Sequence, residues 1–220
     1  MAATPVELSH VPPDHPSVLG TLVTGAGKTA AAVAATAALA RVACRMPSLN
    51  GVGVLNVGTA GSLDGRAGGV VRPSRAWAWD LDAASLTALG IPVEDEVALD
   101  GGDGSVIATG DRFVCDAALA RALAERAGLV DMECYAVALA ARSFGVPVRA
   151  VKWISDPADE SAASVWGDAA ARGAAELRDA VLAALEGDRR EEITARRAGS
   201  APSSPAGVRT ARRGRGGPRS

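Results

Sequence analysis

Asp131 with Glu133, and Asp156 with Asp159, form two carboxylate pairs flanking one short apolar stretch. Carboxylates brought together can donate a proton, accept one, or stabilise positive charge that develops during a reaction. What lies between the pairs decides whether they can meet. After Glu133, the apolar residues Tyr135, Val137, Ala138, Ala141 and Phe144 recur at helical spacing and predict a helix. Gly145 stops that helix and Pro147 prevents its return. Val148 to Ile154 is mostly apolar and β-branched and reads as a buried strand. One pair therefore precedes a helix and the other follows the next strand. Ligands of open α/β sheets bind beyond the C-terminal ends of strands, so Leu129 to Asp159 is where chemistry is expected. Taken alone, the same carboxylates would serve equally as helix and turn caps.

The rest of the chain supplies elements that alternate between strand and helix. Val18 to Thr24 is strand-like and runs into Gly25-Ala26-Gly27-Lys28-Thr29, then an alanine-rich helix to about Cys44. A glycine turn opening a helix can hold an anion. It is not a P-loop, because Leu22 stands where that motif needs its first glycine. Gly51 to Val57 reads as a strand ending in Gly58-Thr59-Ala60-Gly61-Ser62, a loop of small residues that lets a ligand approach the backbone. Gly69 to Ala78 is a further strand. Asp80 to Leu89 is a helix capped by Asp82, and Ile91 to Asp103 is irregular and acidic. Ser105 to Thr109 is a short strand leading into Gly110-Asp111-Arg112-Phe113-Val114. Asp116 caps a helix to Ala127, and Val165 to Glu186 closes the chain as one helix stopped by Gly187. This alternation gives an α/β class with a largely parallel or mixed sheet.

Composition narrows the possibilities. The 220 residues are 48% apolar, enough for one core plus an appendage. No apolar run is long enough to span a bilayer, and the N-terminus lacks the pattern of a signal peptide. Cys44, Cys115 and Cys134 are isolated, which favours reduced thiols and a cytoplasmic protein over a disulfide scaffold. His10 and His15 have no partner at metal-binding spacing, so no metal or cofactor is expected. The net charge of -2 is split: nine arginines and three acids from Asp188 onward give +6, leaving -8 for the remainder. Residues 188–220, rich in Arg, Gly, Pro and Ser, are expected to be a disordered tail after a domain over 1–187. The tail has no aromatic residue to stack on bases, which argues against nucleic acid as a partner.

Four loops, TGAGKT, VGTAGSL, TGDRFV and the DME/SDPAD segment, each follow or flank a strand. In this order and spacing the chain resembles the nucleoside phosphorylase/nucleosidase superfamily over about Ala2 to Trp166. It is most similar to nucleosidases of methylthioadenosine and S-adenosylhomocysteine, and also looks like short actinobacterial nucleosidases. The resemblance implies a single α/β domain with a central mixed, twisted sheet flanked by helices. It also implies a first strand that here is cut short before Ala2, which would expose a sheet edge and lower stability. Glu133 would grip the ribose hydroxyls with Met132 against the sugar. Asp156, following Ser155, would protonate N7 of adenine. Phe113 would stack on the base, with the backbone of Val114 bonded to it. Thr59, Ala60 and Gly61 would form the loop beside the ligand, and Glu7 would activate water. The acid must carry its proton into the reaction, and burial near Asp159 is expected to help it.

The implied reaction is hydrolysis of the N-glycosidic bond of a purine nucleoside in the cytoplasm, by a homodimer whose second subunit completes the pocket. Ile91-Pro92 and Trp77-Ala78-Trp79 are the contributors to that pocket that depart from the family pattern, and the two tryptophans fit core or interface alike. Two alternatives stand beside hydrolysis. One is a phosphate-dependent phosphorylase, although Leu55-Asn56-Val57 lacks the arginine those relatives place there. Lys28 would be its remaining anion contact. The other is a nucleoside-binding protein without catalysis.

Overall fold

The computed structural model describes residues 1–9 and 11–199. Its strands are β1 (Val54–Ser62), β2 (Val70–Val71), β3 (Arg75–Ala78), β4 (Glu96–Ala98), β5 (Val106–Thr109), β6 (Leu129–Asp131) and β7 (Val148–Asp156). Its helices are α1 (Pro5–Leu8), α2 (Lys28–Arg45), α3 (Ala83–Ala88), α4 (Ala117–Ala124), α5 (Cys134–Ser143), α6 (Ala162–Arg172) and α7 (Ala174–Gly199). The seven strands form one mixed sheet in the order β2-β7-β1-β6-β5-β3-β4. β7 runs parallel to β1, while β6 runs antiparallel to β1 and parallel to β5. The ends of β1, β6 and β7 therefore converge on one region, which is where the two carboxylate pairs lie.

Strand periodicity divides the side chains of β1 and β7 between two faces. Val54, Ala60, Val148, Ala150 and Ile154 pack with α2 and α5 on one face. Val57 and Val151 pack with Leu177, Val181 and Leu185 of α7 on the other. Helices thus cover both faces of the sheet, and the whole is a single domain. Among the described residues no helix is long and apolar enough to cross a membrane.

The expected helix after Glu133 and the strand after Pro147 are present, and Gly145 closes α5 with a φ of 66°, where a glycine is favoured. Asp82 and Asp116 cap α3 and α4, accepting from the amides of Ser85 and Leu119. Other segments differ from expectation. Val18 to Thr24 is not a strand: only Val23 pairs, in an isolated parallel bridge with Ala2, and Leu19 is exposed. The Gly51 strand starts later and runs on through the glycine loop to Ser62, because β7 pairs with it along that whole length. Gly69 to Ala78 is split into β2 and β3 around Pro73, and the irregular acidic segment contains the short edge strand β4.

The single closing helix is two helices. A Cβ on Gly173 would stand 2.0 Å from the ring of Trp153, so this position between α6 and α7 accepts only glycine. Gly187 does not end α7, which continues to Gly199 into the segment expected to be disordered. One glycine costs a helix only about 1 kcal/mol relative to alanine, and the Arg-, Glu- and Ala-rich sequence that follows propagates it. Residues 200–220 of the expected tail lie outside the described residues. Met1 and Ala2 are built into the sheet side: Val57 N–H donates to the Met1 carbonyl (2.8 Å), and Ala2 is fully buried.

Candidate active site

Every residue named from the sequence as catalytic or substrate-binding lines one pocket of about 250 Å³. β1 brings Thr59, Ala60 and Gly61. The loop after β5 brings Phe113 and Val114. The β6–α5 junction brings Met132 and Glu133, the end of β7 brings Ser155 and Asp156, and α1 brings Glu7. Glu7, Glu133, Ser155 and Asp156 are all buried, whereas Phe113 is 40% exposed at the rim.

Glu7 is fixed by a dense set of donors. Thr59 gives its backbone N–H (2.8 Å) and hydroxyl (2.9 Å) to Oε1. Thr4, the N-cap of α1, gives its backbone N–H (3.1 Å) and hydroxyl (3.0 Å) to Oε2. The reciprocal contact from Glu7 N–H to Thr4 makes this a capping box. Gly58 makes room for the carboxylate, since a Cβ there would lie 2.8 Å from Glu7 Oε1.

Glu133 is the N-cap of α5 and makes no capping bond of its own. It reaches instead across the pocket, where Gly27 N–H donates to its Oε1 at 2.8 Å. Burial and the neighbouring charge of Asp131 push its pKa up to about 7, against the lowering influence of Lys152. Asp131 lies beneath it as a support. Its carboxylate pairs with the buried Lys152 ammonium at 2.8 Å and accepts from the Thr109 hydroxyl (2.6 Å) and the Cys134 N–H (3.0 Å). Burial favours a neutral lysine, but the adjacent charge of Asp131 holds Lys152 above its usual range.

Asp156 accepts from the Ser155 hydroxyl (2.7 Å) and from Ala158 N–H (2.9 Å). Ala158 adopts a left-handed φ of 54° in the tight turn that presents this amide. Ser155 Oγ also lies 3.4 Å from the Ala60 carbonyl, so the hydroxyl can turn to that acceptor when Asp156 carries a proton. The Asp159 carboxylate accepts from the amide and hydroxyl of Ser161 in the turn into α6.

Three further pocket residues carry no local motif. Trp166 reaches in from α6, and its indole N–H donates to Thr59 Oγ1 at 3.0 Å. Thr4 touches the pocket through Glu7, and Arg112 is the one cation lining it among the described residues. The anion contact sought in Lys28 is occupied: its ammonium pairs with Asp80 and its amide donates to Asp111 (2.6 Å). Trp77 belongs to a network within the chain, donating to Asp95 (3.1 Å) and lying under the Arg126 guanidinium at 4.3 Å. Trp79 packs over Gly110. Cys44, Cys115 and Cys134 are free thiols.

Residues 104–186 match the model of the phosphorylase superfamily. No curated protein matches the sequence. Among solved structures, the chain is similar to the 5′-methylthioadenosine/S-adenosylhomocysteine nucleosidase of Helicobacter pylori, in a variant holding 5′-methylthioadenosine in its active site. The two are 21% identical with a TM-score of 0.66, over 85% of this chain and 96% of that one. It is similar to the futalosine hydrolase of the same organism, with 23% identity and a TM-score of 0.62 over 76% and 78% of the two chains. The Neisseria meningitidis 5′-methylthioadenosine/S-adenosylhomocysteine nucleosidase, solved with methylthio-immucillin-A, is 26% identical with a TM-score of 0.59, over 72% and 77%.

Proposed function

We propose that this chain, whose residues 104–186 match the phosphorylase superfamily model, is a nucleosidase that hydrolyses the N-glycosidic bond of a purine nucleoside. The observation that carries this reading is the convergence of three buried carboxylates, Glu7, Glu133 and Asp156, on one pocket with an aromatic ring at its rim. Each carboxylate sits in a different environment and takes a different task. Asp156 donates a proton to N7 of the base as the C1′–N9 bond breaks and its electrons pass to the purine. Ser155, which accepts from the aspartic acid before the transfer, then turns back to donate to the aspartate it leaves. Glu133, ionised, holds the ribose hydroxyls and stabilises the positive charge that develops on the sugar. Glu7 accepts a proton from the water whose oxygen bonds to C1′. Phe113 stacks on the base and Val114 offers it backbone hydrogen bonds. Met132 packs against the sugar, beside the loop of Thr59, Ala60 and Gly61.

Hydrolysis is favoured over phosphorolysis by the fate of the glycine-loop donors. The amides of Gly27 and Lys28 are spent on Glu133 and Asp111, and the Lys28 ammonium on Asp80. A phosphate would meet the carboxylates of Glu7, Glu133 and Asp156, with Arg112 the cation left to it among the described lining residues. An aspartate rather than an asparagine at position 156 favours an adenine-type base, whose N7 needs a proton donor, and methylthioadenosine or S-adenosylhomocysteine as substrate. The test is base release from methylthioadenosine, S-adenosylhomocysteine, adenosine and futalosine, with and without phosphate. Adenine release in phosphate-free buffer is expected. Release only with phosphate would make the chain a phosphorylase, and nucleoside binding without release would make it a binding protein.

A further inference from the structure

We propose that Trp166 is a positioning residue that orients Glu7 through the hydroxyl of Thr59. The inference rests on reading Glu7 as the carboxylate that activates water. An indole N–H is a donor only, whereas a threonine hydroxyl both donates and accepts. Trp166 donates to Thr59 Oγ1 at 3.0 Å, and Thr59 Oγ1 lies 2.9 Å from Glu7 Oε1. The direction of every proton in this chain is therefore fixed. Thr59 must accept from the indole, so its own O–H is left to point at Glu7. The second donor on the same oxygen, Thr59 N–H at 2.8 Å, belongs to a strand and cannot turn.

Glu7 Oε1 is thereby saturated, and its orientation is set from a helix far along the chain. Oε2 differs. Its hydroxyl donor, Thr4, belongs to the same short capping box as Glu7, and among the described residues no donor from another element restrains it. Oε2 is held only within its own short turn, by the N–H and hydroxyl of Thr4, so it is the oxygen that can shift to take a proton from water. Trp166 thus presents one oxygen of Glu7 as an anchor and the other as the base.

The experiment is a double-mutant cycle on the full chain with Trp166→Phe and Thr59→Val, reading kcat and KM for base release. Phenylalanine keeps an aromatic ring and removes the donor; valine keeps the volume and removes the hydroxyl. Loss of a hydrogen bond that acts on a charged group predicts a fall in kcat of about tenfold for Trp166→Phe, with KM changed by less than about twofold. In the Thr59→Val background the same tryptophan change should cost less than about twofold, because the link is already broken. Equal losses in both backgrounds, or a change confined to KM, would overturn the proposal. Indole N–H exchange, followed by NMR and assigned with Trp166→Phe, tests the link without turnover. Slow exchange in the wild type that becomes fast in Thr59→Val supports it, and fast exchange in the wild type overturns it. A wild type that releases no base but shows the slow indole proton would sink the hydrolase reading and leave the link standing.

Discussion

Asp156 and Glu133 are both buried carboxylates, but their partners separate them. Asp156 accepts two hydrogen bonds from its own turn, from Ser155 and Ala158. Replacing it with asparagine keeps the shape and removes the transferable proton. Asp156→Asn should lower kcat by about 10²- to 10⁴-fold, the usual worth of a positioned acid. Nucleoside binding, measured by calorimetry, should persist, and a variant with full rate would remove Asp156 from the role. Glu133 titrates where most enzymes work, because burial and Asp131 raise its pKa to about 7. The sugar-binding role proposed for it requires the ionised form, which dominates above that pH. The wild-type kcat/KM for an uncharged nucleoside should therefore rise about tenfold per pH unit below 7 and level off above it. A profile that is flat from pH 5.5 to 8 would contradict this assignment.

Strands β7 and β6 are tied together beneath the pocket by the pair Lys152–Asp131, each side chain only 2% exposed. Asp131 also holds Cys134 N–H and Thr109 Oγ, and that hydroxyl in turn accepts from Tyr135 N–H at 3.1 Å. The start of α5, and with it Glu133, rests on this buried charge. Lys152→Met should cost about 3–5 kcal/mol in denaturant unfolding, since it leaves Asp131 buried without its cation. Lys152→Met combined with Asp131→Leu should recover much of that loss, and a double variant as unstable as the single one would refute the stranded-charge account. These elements also mark how far the sequence could be read. The α5 periodicity and the apolar run of β7 are local signals, and they place Glu133 and Asp156 correctly in space. β6 is only three residues long and has no period to detect. The break at Gly173 depends on Trp153, and the place of Trp166 depends on Thr59, so both arise from tertiary contacts that no local pattern announces. Val18 to Thr24 has strand composition, but its pairing stops at Ala2.

The molecule as a whole places its site where the sheet changes from parallel pairing, β7 with β1, to antiparallel pairing, β1 with β6. Gathering carboxylates at that junction has a cost that depends on pH. Glu133 has a folded pKa of about 7 against an ordinary value of 4.5, so the folded chain binds a proton more tightly than the unfolded one. Its contribution to stability is fully present below pH 4.5 and is lost as pH rises through 7, amounting to about 3 kcal/mol. The Met1 amine acts in the opposite sense, because burial and Lys152 lower it from 8.0 to about 5. That group disfavours folding at low pH, and the penalty disappears as pH rises from 5 to 8. The two opposing slopes leave the wild-type curve nearly level across this range. Glu133→Gln removes one of them and leaves the other, so the variant should gain stability relative to wild type from pH 5 to about 7 and keep a constant difference above that. Urea unfolding of both proteins at several pH values measures the difference directly. A constant difference between pH 5 and 8 would mean that Glu133 stays ionised in the folded chain throughout, and the kinetic titration near pH 7 would then have to belong to another group.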